Sequence, residues 1–198
     1  MPESTVSDLR NFSLGHIGIF VHDLPGMAAF YQRVFGFIVT DAELDSDGTR
    51  RSVFLSRNPA EHHQFVLISG PGIDPSARQK IQQISFRTDS LAEVRRTYFR
   101  LRAERLGSIE PITHGTSWSV YFRDPENNRI ELFADTPWYI TQPFVAPVDY
   151  NKSDDLIRHE TEQLCHAQPG FRMMSDWREE IADRMRHGLA ALARHEHP

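Results

Sequence analysis

The sequence is poor in cysteine and lacks both a long apolar run and an excess of basic residues. Its single cysteine, Cys165, excludes an intrachain disulfide and any zinc site that needs paired cysteines, so we expect a buried, inert thiol. No apolar run approaches the roughly 20 residues that cross a bilayer, and the segment MPESTVSDLR has neither a basic start nor an apolar signal core. These absences predict a cytoplasmic protein without membrane contact.

The charged residues argue against a nucleic-acid partner. The formal net charge is −5, and the 22 Lys and Arg residues are scattered among 27 acids rather than clustered. Without a basic stripe there is no electrostatic footprint for a nucleic acid or an anionic membrane. The 198 residues suffice to bury a core as one domain or two small modules, and small molecules are the expected partners.

An internal repeat organises the greater part of the chain. The segment HIGIFVHDL (16–24) aligns with QISFRTDSL (83–91), which places Ile17 over Ile84 and His16 over Gln83. Each segment alternates apolar residues with others, as a half-buried strand does, and is followed by apolar residues at helical spacing. Two copies of one structural unit are therefore predicted.

Each unit is predicted to fold as βαβββ. Asp23 is a suitable N-cap for the first helix and Gly36 a suitable end, while the second helix begins at Asp89 or Ser90. The fold class is therefore α+β, with two βαβββ modules that form a cupped mixed sheet around a cleft. The remaining strands are expected at 37–44, 51–57, 63–69, 109–114, 117–123 and 129–134.

Glu131 is an unusual residue for its position, because Ile130 and Leu132 on either side of it are typical of a buried strand. A buried carboxylate is costly unless a cation, hydrogen bonds or a metal receive it. Alternation along the strands places Glu131, His16 and Gln83 on the faces opposite their apolar neighbours. If these faces surround the cleft, Glu131 meets its partner there.

The segments LGHIGIFVHDLPGMAAFYQRVFGF and YFRDPENNRIELF resemble the vicinal oxygen chelate (glyoxalase/bleomycin resistance/extradiol dioxygenase) superfamily. The second half is most similar to its type I extradiol ring-cleaving dioxygenases, and the resemblance covers about residues 13–135. It implies paired βαβββ modules around one divalent metal, with ligands on the first and last strands of the modules. It further implies that His16 and Glu131 are metal ligands.

Gln83 stands where that family normally has its second ligand histidine. Two histidines and a carboxylate hold non-haem Fe(II) and leave positions open for substrate and dioxygen, whereas an amide oxygen is a weaker donor. Glutamine does ligate metals in some glyoxalases of the superfamily. The resemblance therefore implies His16, Gln83 and Glu131 as metal ligands, with Fe(II) as the metal and Mn(II) or another divalent ion as the alternative.

Three further residues match catalytic positions of the extradiol enzymes. The segment ITHGTSWSVYFRDPENNRIE places His114, Tyr121 and Glu131 in the family's order, with Asn127 where glycine is usual, and EHHQFVLI places His63 at the expected acid/base position. The resemblance implies that His63 exchanges a proton with the reacting oxygen, and that His114 and Tyr121 hydrogen-bond the substrate's oxygens. The alternatives are a satisfied polar network, or His63 as third metal ligand.

Beyond residue 135 the chain leaves the repeat. The segment TPWYITQPFVAPVDY is proline-rich and predicts an extended path over a surface. A helix is then predicted from a Ser153 N-cap to about Ala167, and a second one from about Asp176. The apolar stripe of the second helix is expected to cover either the edge of the cleft or a second subunit. The predicted units are modules at 13–70 and 80–135 and a helical extension at 136–198.

The residues and the resemblance together predict a metal-dependent extradiol-type dioxygenase that cleaves a catecholic or related ortho-dihydroxylated aromatic, as in aromatic-compound catabolism. Its partners would be that aromatic and dioxygen, and its assembly a homo-oligomer. Two alternatives stay open: a glyoxalase-like lyase or isomerase that holds Ni, Zn or Co, and a metal-free protein that binds a small aromatic. The side chains expected to face the cleft and set specificity are Phe20, Arg87, Trp118 and Phe133.

Overall fold

The computed structural model describes residues 13–70, 81–104 and 106–195, and of residues 188–195 it describes the backbone alone. The N-terminal segment for which no signal sequence is predicted lies outside the described residues, and so does the predicted module start at residue 80. Within the described ranges, no helix combines the length and apolar character needed to cross a membrane.

The first module is a four-stranded sheet with one helix. β1 (Ile17–Val21) is followed by α1 (Leu24–Phe35) and then by β2 (Ile38–Leu44), β3 (Arg50–Ser56) and β4 (Phe65–Ser69). The strand order is β1-β4-β3-β2, in which β1 is parallel to β4 and the other pairs are antiparallel. β1 therefore forms one edge of this sheet.

The second module repeats the first. β5 (Ile84–Arg87) is followed by α2 (Leu91–Ala103) and then by β6 (Glu110–Thr113), β7 (Ser117–Arg123) and β8 (Arg129–Asp135). These strands lie in the order β6-β7-β8-β5, with β5 parallel to β8, so that β5 is also an edge strand. The α+β class and the two βαβββ modules are confirmed, although the modules form two separate sheets.

The helix ends lie where the local sequence predicts them. The Asp23 carboxylate accepts a hydrogen bond at 3.0 Å from a backbone amide in the first turn of α1, and Gly36 ends that helix in the left-handed conformation, with φ at 70°. Ser90 caps α2 in the same way as Asp23 caps α1. Asn127 has φ at 68° in the turn between β7 and β8, which its short polar side chain tolerates.

α1 joins the two modules into one core. Its Phe35 packs on Phe86 of β5 with ring centroids 4.5 Å apart. The hydroxyl of Tyr31 donates a buried hydrogen bond of 2.9 Å to Asp124, in the turn between β7 and β8. The buried apolar residues of both modules belong to one continuous cluster, so the two units stabilise each other.

Asp124 is expected to be a main determinant of stability. Its buried carboxylate accepts four hydrogen bonds of 2.8–3.0 Å, from the Tyr31 hydroxyl, the Glu126 amide and two nitrogen atoms of Asn128. Because one buried and three partly buried donors would lose their acceptor together, Asp124→Ala is expected to lower the free energy of unfolding by about 3 kcal/mol in a urea titration.

The control for this experiment is Asp149→Ala. The Asp149 carboxylate accepts two hydrogen bonds from Asn151 in an exposed turn, where water replaces it readily, and its removal is expected to change stability little. Equal stability of the Asp124 variant and the wild type would contradict the role of this turn in joining the modules.

The C-terminal extension packs on the second module. It consists of β9 (Trp138–Tyr139), β10 (Ala146–Pro147), α3 (Asp154–His166), β11 (Arg172–Met173) and α4 (Met174–His195). β10 extends the second sheet beside β6, and β11 pairs with β9. The three short strands are not predicted from the sequence, and α4 begins ahead of its predicted start at about Asp176.

α3 covers the outer face of the second sheet. Its predicted N-cap is confirmed, because the Ser153 hydroxyl accepts a hydrogen bond of 3.3 Å from a backbone amide in the first turn. The Trp118 indole of β7 donates to the Thr161 hydroxyl of α3 at 2.9 Å. Cys165 of α3 is fully buried beside the Gly115 backbone oxygen, and burial raises the pKa of its thiol to about 11.

Candidate active site

Glu131 is buried in β8, with 6% of its surface exposed. The strand register places Ser85 of β5 on one side of it and Tyr121 of β7 on the other. Ser85 Oγ donates to Glu131 Oε2 at 2.6 Å, and Gln83 Nε2 donates to the same oxygen at 2.9 Å. One oxygen of the carboxylate, Oε2, therefore accepts two hydrogen bonds.

His114 and Tyr121 form a hydrogen-bonded pair beside this carboxylate. His114 Nδ1 lies 2.8 Å from the backbone oxygen of Phe144 and must donate to it, because a carbonyl oxygen only accepts. In the neutral ring, Nε2 is then the acceptor for the Tyr121 hydroxyl at 3.2 Å. The same Nε2 lies 4.0 Å from Glu131 Oε1, so the pair and the carboxylate meet at one point.

Tyr121 is held as a protonated hydrogen-bond donor. Burial, followed by the neighbouring Glu131 carboxylate, raises the pKa of its hydroxyl to about 12. The Arg129 guanidinium lies over its ring, 4.3 Å from the centroid, and opposes that shift only in part. The hydroxyl therefore keeps its proton throughout the neutral range.

Three histidines form a second group at the start of β1 and the end of the loop before β4. The rings of His16 and His63 have centroids 4.3 Å apart, and His62 Nδ1 lies 2.9 Å from His63 Nδ1. Partial burial first, and the His16 and His62 imidazoles second, lower the pKa of His63 below its ordinary value. His63 is therefore a neutral ring at neutral pH.

One cavity is lined by residues of both groups. It has a volume of about 670 Å³ and lies between the edge strands β1 and β5. His16 lines one side of it, and Gln83 and Ser85, which hold Glu131, line the other. The structure thus joins Gln83, Glu131, His114 and Tyr121 by direct contacts or a shared partner. His16, with the His63 ring packed on it, lines the same cavity as Gln83.

The donor atoms of these residues fit a divalent cation. His16 offers an imidazole nitrogen and Glu131 a carboxylate oxygen. Since the nitrogen of the Gln83 amide faces Glu131, its carbonyl oxygen is left for a cation. In the described parts of the chain, no three His, Cys, Asp or Glu side chains converge as a ready-made metal cluster. A third protein donor to a cation at this place would have to be another group, and the Gln83 amide oxygen is available for it.

Ser85 is a site residue that the sequence analysis missed. Ser85 follows Gln83 by two residues, and residues two apart in an extended chain point to the same side. This spacing is the sequence signal that could have identified Ser85. The prediction that Trp118 faces the cleft is wrong: this side chain is 1% exposed and contacts α3. In β7 the cleft-facing positions are those paired with Glu131 and Phe133, namely Tyr121 and Ser119.

Phe20 is 56% exposed on β1. Arg87 and Phe133 line a further cavity together with residues of the C-terminal extension, among them Trp177 and Arg178. The first turns of the last helix therefore contribute to this edge of the cleft, whereas Met185, further along its apolar stripe, is 62% exposed.

Comparison with known proteins supports the resemblance seen in the sequence. Residues 13–132 match the model of the Glyoxalase/Bleomycin resistance protein/Dioxygenase superfamily. Biphenyl-2,3-diol 1,2-dioxygenase 3 of Rhodococcus globerulus is 28% identical over 166 residues, which are 82% of this chain and 78% of that protein. Metapyrocatechase of Pseudomonas sp. (strain CF600) is 29% identical over 134 residues, which cover 63% of this chain but only 40% of the relative.

Solved structures show the same fold. A variant of the fosfomycin resistance protein FosX from Listeria monocytogenes, complexed with Mn(II) and 1S,2S-dihydroxypropylphosphonic acid, is 25% identical, with a TM-score of 0.50 over 63% of this chain and 93% of that one. A glyoxylase/bleomycin resistance protein/dioxygenase domain from Frankia sp. EAN1pec is 19% identical, with a TM-score of 0.51 over 63% and 98% of the two chains.

Proposed function

We propose that this chain, which belongs to the Glyoxalase/Bleomycin resistance protein/Dioxygenase superfamily, is a metal-dependent dioxygenase that cleaves the ring of a catecholic aromatic by the extradiol route. The observation that carries the proposal is the contact among Gln83, Glu131, His114 and Tyr121, with Gln83 lining the same cavity as His16, on whose ring His63 packs. Relatives named for cleavage of biphenyl-2,3-diol and of catechol support the choice of substrate class.

His16, Gln83 and Glu131 would hold the metal, with Fe(II) proposed and Mn(II) as the alternative. Bound there, a divalent cation lowers the pKa of a coordinated hydroxyl and orients the two vicinal oxygens of the substrate. Ser85 positions Glu131 by its 2.6 Å hydrogen bond, a task that commonly falls to residues one shell away from a metal.

The remaining polar residues would handle protons. His63, neutral because its pKa is lowered, takes a proton from a substrate hydroxyl and later returns it. When substrate binds, Tyr121 would turn its one hydroxyl proton from His114 Nε2 to a substrate oxygen, while His114 stays fixed by its bond to the Phe144 carbonyl. Phe133, two positions from Glu131 on the same face of β8, provides an apolar surface for the aromatic ring.

Oxygen uptake with catechol tests this proposal. Protein loaded with Fe(II) under nitrogen and then mixed with catechol in air is expected to consume one dioxygen per catechol and to form the yellow ring-fission product. The same assay without protein is the control. Protein that takes up neither Fe(II) nor dioxygen with a panel of substituted catechols would refute the proposal.

Tyr121→Phe is expected to lower kcat about 10- to 100-fold, because the substrate oxygen loses a hydrogen-bond donor beside the metal. The fold should be unaffected, since the ring and its contact with Arg129 remain. Steady-state oxygen uptake measures the effect. Tyr98→Phe removes the hydroxyl of a buried tyrosine on α2, away from this site, and is the matched control. Equal kcat values for the two variants would remove Tyr121 from the mechanism.

Gln83 favours a second candidate, a glyoxalase-like lyase or isomerase that uses a metal without dioxygen. An amide ligand suits metals that need no redox change, and the structural relative FosX holds Mn(II). This candidate predicts Ni, Zn, Co or Mn in the purified protein and no oxygen consumption with any catechol.

A further inference from the structure

A second cavity adjoins the proposed metal site. It measures about 390 Å³ and is formed by the cleft face of the second sheet and by the start of α4. Arg87 lines both this cavity and the one that contains His16 and Gln83, so the two spaces meet at that side chain. Gln83 and Ser85, the hydrogen-bond partners of Glu131, line the first cavity, so the second cavity lies next to the space beside Glu131.

β8 runs from Glu131 toward the second cavity. Glu131, Phe133 and Asp135 are alternate residues, and alternate residues of a strand share one face at a spacing of about 6.8 Å. Phe133 and Asp135 both line the second cavity. A substrate whose diol lies at Glu131 would place its ring over Phe133 and its substituent near Asp135.

The walls of the cavity are aromatic. Tyr139 of β9 and Trp177 of α4 stack with their ring centroids 5.2 Å apart and their planes 14° from parallel. Trp177 is held there because β11 pairs with β9, and because the Met174 amide donates to the Pro137 oxygen at 2.8 Å. The Arg87 guanidinium lies 5.2 Å from the centre of the Phe133 ring.

The far end of the cavity carries an excess of positive charge. Arg87 Nη1 lies 3.3 Å from Asp135 Oδ2, and Arg178 Nη2 lies 3.1 Å from the same oxygen. These two arginines and one aspartate are the charged residues among those that line the cavity. The arginine side chains are 65% and 59% exposed, so both guanidinium groups are accessible to a ligand. One carboxylate thus leaves one positive charge unmatched.

We propose that this cavity binds an anionic substituent, a carboxylate, on the aromatic substrate between Arg87 and Arg178. Guanidinium groups match the geometry of a carboxylate and form charge-assisted hydrogen bonds with it. The inference deepens the proposed function and rests on it for the position of the diol at Glu131. It assigns the substrate to the catechols that carry an acidic side chain.

Binding without turnover tests the cavity alone. Metal-free protein is titrated with phenylacetate and with phenylacetamide, which differ in charge but hardly in shape. Binding is followed by tryptophan fluorescence, and of the three tryptophans Trp177 lines the cavity. Phenylacetate is expected to bind at least about tenfold more tightly than phenylacetamide, as charge-assisted hydrogen bonds allow. Arg178→Gln and Arg87→Gln should each bring the two affinities within about twofold, and Arg178→Lys should retain part of the preference.

Arg184→Gln is the matched control, because Arg184 lies on α4 outside the cavity and its removal changes the net charge equally. It should keep the full preference for phenylacetate. Equal binding of the two compounds by the wild type, or an equal loss of preference in Arg178→Gln and Arg184→Gln, would overturn the proposal.

Turnover separates this inference from the proposed function. With Fe(II) and dioxygen, kcat/KM for 3,4-dihydroxyphenylacetate should exceed that for its carboxamide about tenfold, and Arg178→Gln should abolish the difference. Cleavage of both compounds at equal rates would refute the anionic substituent but not the dioxygenase. A preference for phenylacetate in binding, without cleavage of any catechol, would refute the dioxygenase but leave the anion site standing.

Discussion

Replacement of Glu131 by glutamine is expected to weaken Fe(II) binding by more than about 100-fold, beyond the range seen for residues that only support a ligand, and to abolish oxygen uptake with catechol. Glutamine has the same shape and can still accept from Ser85 and Gln83, so the strand should keep its place. What is lost is the negative charge that attracts the cation. Anaerobic Fe(II) titration and circular dichroism measure the two effects separately.

Ser85→Ala is the variant whose metal affinity should be compared with that of Glu131→Gln. It keeps the Glu131 carboxylate but removes the 2.6 Å hydrogen bond that positions it. We expect a loss of metal affinity of about 10- to 100-fold, the usual effect of a supporting residue. Retention of full metal affinity and turnover by the Glu131 variant would contradict its assignment as a ligand.

Gln83→His is expected to have the opposite effect, with Fe(II) bound at least about tenfold more tightly and a higher kcat. An imidazole nitrogen is a stronger donor to Fe(II) than an amide oxygen, and two histidines with one carboxylate complete the set that non-haem iron prefers. The variant loses the hydrogen bond from the Gln83 amide to Glu131, but the one from Ser85 remains.

Gln82→His controls for the mere addition of an imidazole. Gln82 is exposed and precedes Gln83 by one residue, which turns its side chain away from Glu131. It should bind Fe(II) like the wild type. If Gln83→His instead leaves metal binding unchanged or weakens it, the cleft is better explained as a metal-free binding site. If it lowers an activity that needs no dioxygen, the lyase or isomerase is favoured.

The sequence predicts the modules well because their signals are local and repeated. Alternation in Ile17 and Ile19, matched by Ile84 and Phe86, marks a strand in each copy, and its period also places His16 and Gln83 on the cleft side. The caps at Asp23 and Ser90 follow from hydrogen bonds within a single turn. Such features depend little on the rest of the fold.

The features that the sequence does not predict depend on contacts between distant segments. Ser85 becomes important only because β5 lies beside β8 in a register that pairs it with Glu131. Trp118 is an exception: it lies three residues from Tyr121 in one strand, so the alternation of β7 alone places it on the opposite face, where it contacts α3. The strands β9, β10 and β11 are two residues each, too short for any period to be read.

The position of α4 is a further feature of this kind. Its apolar stripe does not tell what the helix contacts, and Met185 within it is 62% exposed. The pairing of β11 with β9 decides that Trp177 lies against Tyr139 at the edge of the cleft. The proposed anion site depends on that placement, because Arg178 follows Trp177 into the cavity. Pattern alone could assign neither residue to the substrate.

His16 of the first module and Glu131 of the second are proposed to bind the same divalent cation. The most direct test of this shared site is the metal content of protein purified without chelators and then incubated with Fe(II), for the wild type, His16→Ala and Glu131→Gln. We predict about one divalent ion per chain in the wild type and loss of that ion in both variants. A wild type that binds no metal, or a His16→Ala variant that keeps it, would contradict the account.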